Sequence, residues 1–292
     1  MSTIAPALGS AVGESPGRRF ARRFLRQTPA VVALLILAFV FLVAVLAPVL
    51  APQDPNIQDL VSRLQGPSRE HLLGTDDLGR DELSRLIFAS RTSLLAGFEA
   101  TIIALVLGVP LGLIAGYSQG FLDAAVSRVS DVLQTIPGIL LALGIIGALG
   151  PNLTNAMVAI GIVYSPSFFR VARAATMTVR EETFIEAARS LGGTPAWIVL
   201  NHVVPNVLSP LLVRISLTIG FCILAEATIS FLGLGIQPPG ASWGTMLGRS
   251  TTYMEKAPWL VTLPGLVIFI TVLAFNTLGD GLRDSLGRET RR

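Results

Sequence analysis

The chain has 292 residues, of which 51% are hydrophobic and 14% charged, with a mean hydropathy of +0.65 and a formal net charge of +3. A soluble domain carries about 25% charged residues, so this composition excludes an ordinary water-soluble fold and points to an all-α chain embedded in lipid. One cysteine, Cys222, and two histidines, His71 and His202, exclude an internal disulfide and argue against a zinc site or other metal site within the chain; with no basic stripe along a soluble domain, nucleic acid is not an expected partner.

Residues 1–28 form a basic N-terminal segment that includes RRFARRFLRQ. The first expected span, Pro29–Leu50, is 22 residues long, too long for the apolar region of a cleaved signal peptide, and reads as a retained anchor. Residues 51–90 are a polar loop containing GTDDLGRDELSRL. Its carboxylates Asp76, Asp77, Asp81 and Glu82 lack the spacing of a calcium loop, and Arg80 and Arg85 among them favour ion pairs and helix capping.

The second span, Thr92–Gly116, carries Glu99 and ends at GYSQG. That G-x-S-x-G pattern needs a strand-to-helix elbow, a histidine and an acid to make Ser118 a nucleophile, and a Gly-bounded turn after a membrane helix explains it better. No catalytic residue is expected. The third span, Val132–Leu149, is interrupted by Gln134 and Pro137 and follows Asp131; the fourth, Leu153–Phe169, continues toward Ala175. The fifth, Val207–Leu232, holds Arg214 and Glu226, the latter the most deeply placed charge and therefore either a hydrogen-bonded carboxyl or a pathway contact. A second polar loop, 234–258, contains SWGTML with Trp243, read as part of a gate or docking rim or else as a re-entrant packing segment. The sixth span is Trp259–Gly279, and 281–292 is a tail.

With the N-terminus inside, 14 arginines fall on inner segments against seven basic residues outside, which favours both termini in the cytoplasm. The block 181–206, EETFIEAARSLGGTPAWIVLNHVVPN, then faces the cytoplasm. Thr183 and Glu186 fit a capping box, and Phe184, Ala187, Ala188 and Leu191 follow at i, i+3, i+4, i+7 to give one apolar face. Gly192–Gly193 ends that helix, Thr194–Pro195 starts another, and Pro205 closes it. Such a helix suits a partner's groove; the alternative is a helix lying on lipid, against which the small Ala187 and Ala188 weigh. No G-x-x-x-x-G-K-[ST] occurs, so this chain has no P-loop, and ATP, if used, is hydrolysed by another polypeptide.

Glu186-Ala187-Ala188, then Gly192, then His202-Val203-Val204-Pro205 resembles the EAA loop of permease subunits in bacterial ABC importers, with His202 and Val204 departing from its usual isoleucine and leucine. GTDDLGRDELSRLIFASRTSL, SFLGLGIQPPGASWGTML and PWLVTLPGLVIFITVLAFNTLGDGLRDSL resemble the dipeptide, oligopeptide and nickel branch, above all its C-type subunit. The resemblance implies a type I importer permease fold with six transmembrane helices. Residues 91–280 would be the shared transmembrane domain and 29–50 with 51–90 an accessory helix and extracytoplasmic loop. It implies Phe184, Glu186, Ala187, Ala188, Leu191 and Gly192 as the ATPase-coupling residues. Implied partners are a second homologous permease subunit, two cytoplasmic ATPases that hold ATP and magnesium, and an extracytoplasmic binding protein, with lipid around the whole and no cofactor in this chain. The location implied is the bacterial inner membrane. Di- and oligopeptides are the default substrates; nickel chelates, glutathione and opine-like solutes share the same motifs. A secondary transporter or channel is the reading from a different class, and the chain lacks the internal repeat that class more often shows.

Overall fold

The computed structural model describes residues 16–286. Within them every regular element is helical, as expected where hydrocarbon leaves each backbone N–H and C=O to be paired within its own segment.

The basic flank is itself a short helix, α1 (Pro16–Leu25), followed by α2 (Thr28–Val45) with Pro29 in its first turn. There the missing N–H costs nothing. After a break at Leu46 comes α3 (Ala47–Leu50). Helix α4 (Glu82–Ser118) has 37 residues, about 55 Å at 1.5 Å per residue. It begins inside the stretch expected to be loop, because Asp81 caps it. The Asp81 carboxylate accepts from the Ser84 N–H at 2.8 Å and the Ser84 hydroxyl at 2.6 Å.

The expected third span is not one straight helix. Helices α5 (Phe121–Thr135) and α6 (Gly138–Leu149) meet at 95°. Pro137 holds Ile136 in extended backbone (φ −85°, ψ 130°), which ends α5. Helix α7 (Leu153–Arg180) is capped by Asn152 and runs well past Phe169. Two short helices, α8 (Thr183–Ser190) and α9 (Pro195–Ile198), lead through a π-helical turn (Val199–Val203) into α10 (Val204–Phe231). A short α11 (Trp243–Ser250) precedes α12 (Trp259–Leu286). Five of these runs are long and apolar enough to cross a membrane, and the bent α5–α6 pair makes a sixth.

Helices α4 and α7 lie closest together, and a repeat on α4 permits it. A side chain added at Gly108, Gly112 or Gly116 would run into the α7 backbone at Ser165, Phe169 or Arg173 respectively. This is the small-residue stripe that lets membrane helices touch. Helix α10 packs on α4, α7 and α12, and α2 packs on α12 and α4. Phe98 of α4 bridges Phe41 of α2 (5.4 Å between ring centroids) and Phe275 of α12 (6.2 Å). Leu35, Phe39 and Val49 are among the apolar residues left exposed on the outer faces of the bundle, where lipid is the natural solvent. The polar loops and α11 gather at one end of the bundle, and α8 and α9 at the other.

Candidate functional site: the α8–α9 elbow and the α11 hub

At the elbow, the first turn of α8 differs from the expected capping box. Glu182, not Thr183, is the N-cap, and it makes no side-chain cap bond. Only Glu181 and Glu182 separate α7 from α8, so the Glu182 carbonyl already accepts the N–H groups of Ile185 (3.0 Å) and Glu186 (3.4 Å). That leaves the Glu186 carboxylate exposed and without a capping role.

The face assignment changes as well. Ile185 (0% exposed) and Ala188 (8%) turn inward onto Phe168 and Ala172 of α7 and Val203 and Val207 beyond. Ala188 therefore leaves the expected outer face, and Ile185 joins the inner one. Phe184, Glu186, Ala187, Leu191 and Gly192 stay exposed, Leu191 to 90%. One side of α8 is anchored, and the other is a small apolar surface with a carboxylate on it.

Its end is a Schellman motif, with Gly193 N–H donating to Ala188 O (3.0 Å) and Gly192 N–H to Arg189 O (2.9 Å). Gly192 has φ +84° with open space where a Cβ would go, so glycine is required for its backbone angle alone. As expected, Thr194 caps α9, its hydroxyl accepting from the Trp197 N–H.

Pro205 does not close this helix. The chain is helical from Pro195 to Phe231. In an α-helix the Pro205 ring would meet the carbonyl four residues back. The π turn widens the backbone there, with Val204 N–H bonded to Val199 O.

Contacts that the sequence reading missed hold the elbow in place. The His202 ring lies 4.9 Å from Trp197 and 6.3 Å from Phe184. Arg180 donates from Nη1 to the Tyr117 carbonyl at 2.8 Å, and the Arg189 guanidinium sits over the Tyr117 ring at 5.2 Å. The elbow is thereby tied to the ends of both α4 and α7. Nearby, Arg173 of α7 forms a two-pronged ion pair with Asp123 of α5. No periodicity in the chain announces these partners, and the three arginine contacts join residues 50 to 72 positions apart.

At the opposite end, Glu226 is fully buried but not deep, lying five residues from the end of α10. Its carboxyl accepts from Ser230 at 2.6 Å and Ser93 at 3.2 Å. Trp243, also 0% exposed, opens α11; its indole donates to Leu86 O at 3.3 Å. A docking rim needs a side chain that a partner can reach, and the Trp243 side chain is instead packed inside this chain, where SWGTML begins α11. Ser242 and Thr245 form the capping box that starts this segment. In the adjoining loop, Asp76 pairs with Arg80 (2.6 Å) and Arg85 (3.4 Å), and Asp77 with Arg249 of α11 (3.1 Å). Asp81 meets His71 at 3.0 Å. Three of the four loop carboxylates are thus committed to ion pairs or capping, as their spacing among arginines predicts, while one oxygen of the fourth, Glu82, is buried without a hydrogen-bond partner among the described residues. Of the other intramembrane charges, Asp131 pairs with Arg170 at 2.9 Å, Arg214 is half-buried, and Glu99 lines a cavity at the α11 end.

Residues 108–292 match the family described as the binding-protein-dependent transport system inner membrane component, and residues 15–67 match the N-terminal TM domain of oligopeptide transport permease C. The chain is 47% identical to the dipeptide transport system permease protein DppC of Alkalihalophilus pseudofirmus, covering 77% of this chain and 74% of that one. It is 44% identical to the glutathione transport system permease protein GsiD of Pectobacterium atrosepticum, covering 76% and 74%. Among solved structures, an inward-facing MetNI methionine ABC transporter chain superposes with a TM-score of 0.57 at 22% identity, over 72% of this chain and 97% of that one, which shows a shared fold. The chain belongs to the binding-protein-dependent transport system inner membrane component family and is a multi-pass permease subunit of an ABC importer, a machine that works with ATPase and binding-protein partners.

Proposed function

We propose that this permease carries di- or oligopeptides, forms half of the translocation pathway beside a second homologous permease subunit, and receives its drive at the α8–α9 elbow. The carrying observation is the two-sidedness of α8. Ile185 and Ala188 anchor it to α7, while Phe184, Glu186, Ala187 and Leu191 remain free for a partner. A small apolar helix face beside a carboxylate fits a groove on a cytoplasmic ATPase with a cation at its edge. ATP and magnesium belong to two such ATPases, and this chain catalyses nothing itself. An extracytoplasmic binding protein delivers substrate at the α11 end, and both termini are cytoplasmic. The peptide assignment is supported by relatives named for dipeptide and di/tripeptide transport. The relative named for glutathione, itself a tripeptide, keeps that solute as the second reading.

The test is reconstitution of the complex with its partner permease, ATPases and binding protein in liposomes. ATP-dependent accumulation of a labelled dipeptide is expected, and Glu186→Gln is expected to weaken retention of the ATPase during purification. A complex that hydrolyses ATP yet accumulates neither peptide nor glutathione would sink the substrate assignment. Full retention and coupling in a Phe184→Ala, Glu186→Gln, Leu191→Ala triple variant would sink the elbow's role.

A further inference from the structure

Two opposite charges on α4 have no role so far. Arg91 and Glu99 both line a cavity of about 460 Å³ at the α11 end, shared with Thr92 and Leu95 of the same helix, Asn56 of the polar loop and Leu153 at the start of α7. Arg91 is exposed and Glu99 half-buried. Among the described residues neither has an ion-pair or hydrogen-bond partner, in contrast to Asp76, Asp123, Asp131 and Glu226, which all do. They cannot satisfy one another, since eight residues of helix separate their backbones by about 12 Å.

An unpaired carboxylate on a lipid-facing surface of a membrane helix is costly. Leu95, between the two charges, is 66% exposed, so this face of α4 is open rather than packed. An open face bearing two unpartnered charges belongs against water. In a permease subunit that water is the pathway shared with its partner.

We propose that this face of α4 lines the translocation pathway and that its two charges bind the ends of a zwitterionic peptide in transit, Arg91 its carboxylate and Glu99 its ammonium group. The backbone positions stand about 12 Å apart along the helix, the length of three or four extended residues at about 3.4 Å each, and the two long unpaired side chains can close on a peptide of that length or shorter. Arg91 presents a planar fork that matches a carboxylate, and Glu99 is an acceptor for an ammonium group. The inference rests on the peptide-importer reading above.

The experiment uses the complete reconstituted transporter with its binding protein at saturation. The uptake of one tripeptide is compared with that of its N-acetylated and C-amidated forms. Because every variant meets the same binding protein, that protein's own selectivity cancels when ratios are compared with wild type. Glu99→Gln is expected to shrink the free-to-acetylated ratio about two- to fivefold, and Arg91→Gln the free-to-amidated ratio by a similar factor. Unchanged ratios in both variants overturn the proposal while leaving peptide transport standing. A wild-type complex that transports no free peptide overturns the peptide reading, and this inference with it. Should the neutral variants fail to assemble, Leu95→Cys in a Cys222→Ser background decides the question of the face. A hydrophilic maleimide needs a thiolate in water; labelling that the tripeptide slows is expected, and no labelling means that the face meets lipid and the proposal is wrong.

Discussion

The Ser93 hydroxyl donates to Glu226 at 3.2 Å and accepts from the Trp243 N–H at 3.1 Å, so one oxygen joins α4, α10 and α11. A buried group that gives up its partner loses more than the bond's net worth, because the remaining donor or acceptor stays dehydrated. Ser93→Ala is expected to cost about 1–3 kcal/mol of stability. Ser118→Ala, at an exposed hydroxyl bonded to its own helix, is expected to stay within about 0.5 kcal/mol. Thermal unfolding of the detergent-solubilised complex distinguishes them, and equal midpoints would show that the hub is not structural.

The orientation proposed above predicts the labelling pattern of engineered cysteines. Ser68 and Thr252 are exposed at the α11 end and Ser190 at the elbow, whereas Ser242 is fully buried and unsuitable as a probe. With Cys222 replaced, an impermeant thiol reagent added to intact cells should modify Ser68→Cys and Thr252→Cys, and Ser190→Cys only after permeabilisation. The reverse pattern would invert the assignment of the two ends.

Gly192 separates backbone conformation from space. Its φ of +84° disfavours any Cβ, yet a Cβ there meets nothing within 4 Å. Gly192→Asn should be tolerated better than Gly192→Val, since asparagine visits the left-handed region and a β-branched residue does not. Uptake per ATP hydrolysed should fall slightly for the first and several-fold for the second. Equal losses from both would mean that the elbow responds to bulk at this position.

The α4–α7 contact has no room to spare. Gly112→Val would drive a branched side chain into Phe169 O and Ala172 Cβ, and overpacking of this kind typically costs about 1–3 kcal/mol or more. Reduced yield and a broad size-exclusion profile are expected, while Gly144→Val, on α6 with open space around it, should behave as wild type.

Six apolar runs are legible in the chain because hydrocarbon thickness dictates how long each must be. The cap of α9, the elbow at Gly192–Gly193 and the pairing of Asp76 with Arg80 are legible for a related reason: their partners lie within a few residues. Other features depend on neighbours distant in sequence. Phe184-Ala187-Ala188-Leu191 and Ile185-Ala188 are two apolar registers one residue apart, and only the surface of α7 decides which is buried. Pro137 warns of a break, but nothing local states that it reaches 95°. Pro205 reads as a stop until the π turn before it is known. Gly108, Gly112 and Gly116 stand in plain sight at i, i+4 and i+8, and that repeat could have been read as a contact stripe.

The unbroken run from Pro195 to Phe231 puts the elbow and the Glu226 hub on one rod of 37 residues, about 55 Å long. A hinge would absorb motion, whereas a rod conveys it. Tilting it by about 10° with one end fixed would displace the other by roughly 10 Å on that length. Pro205, which would have broken an α-helix there, is accommodated by the wide turn before it, and Pro210 lies within the helix beyond. On the coupling proposed for the elbow, a partner's push near Trp197 would emerge beneath α11 as a sideways stroke carried by continuous helix.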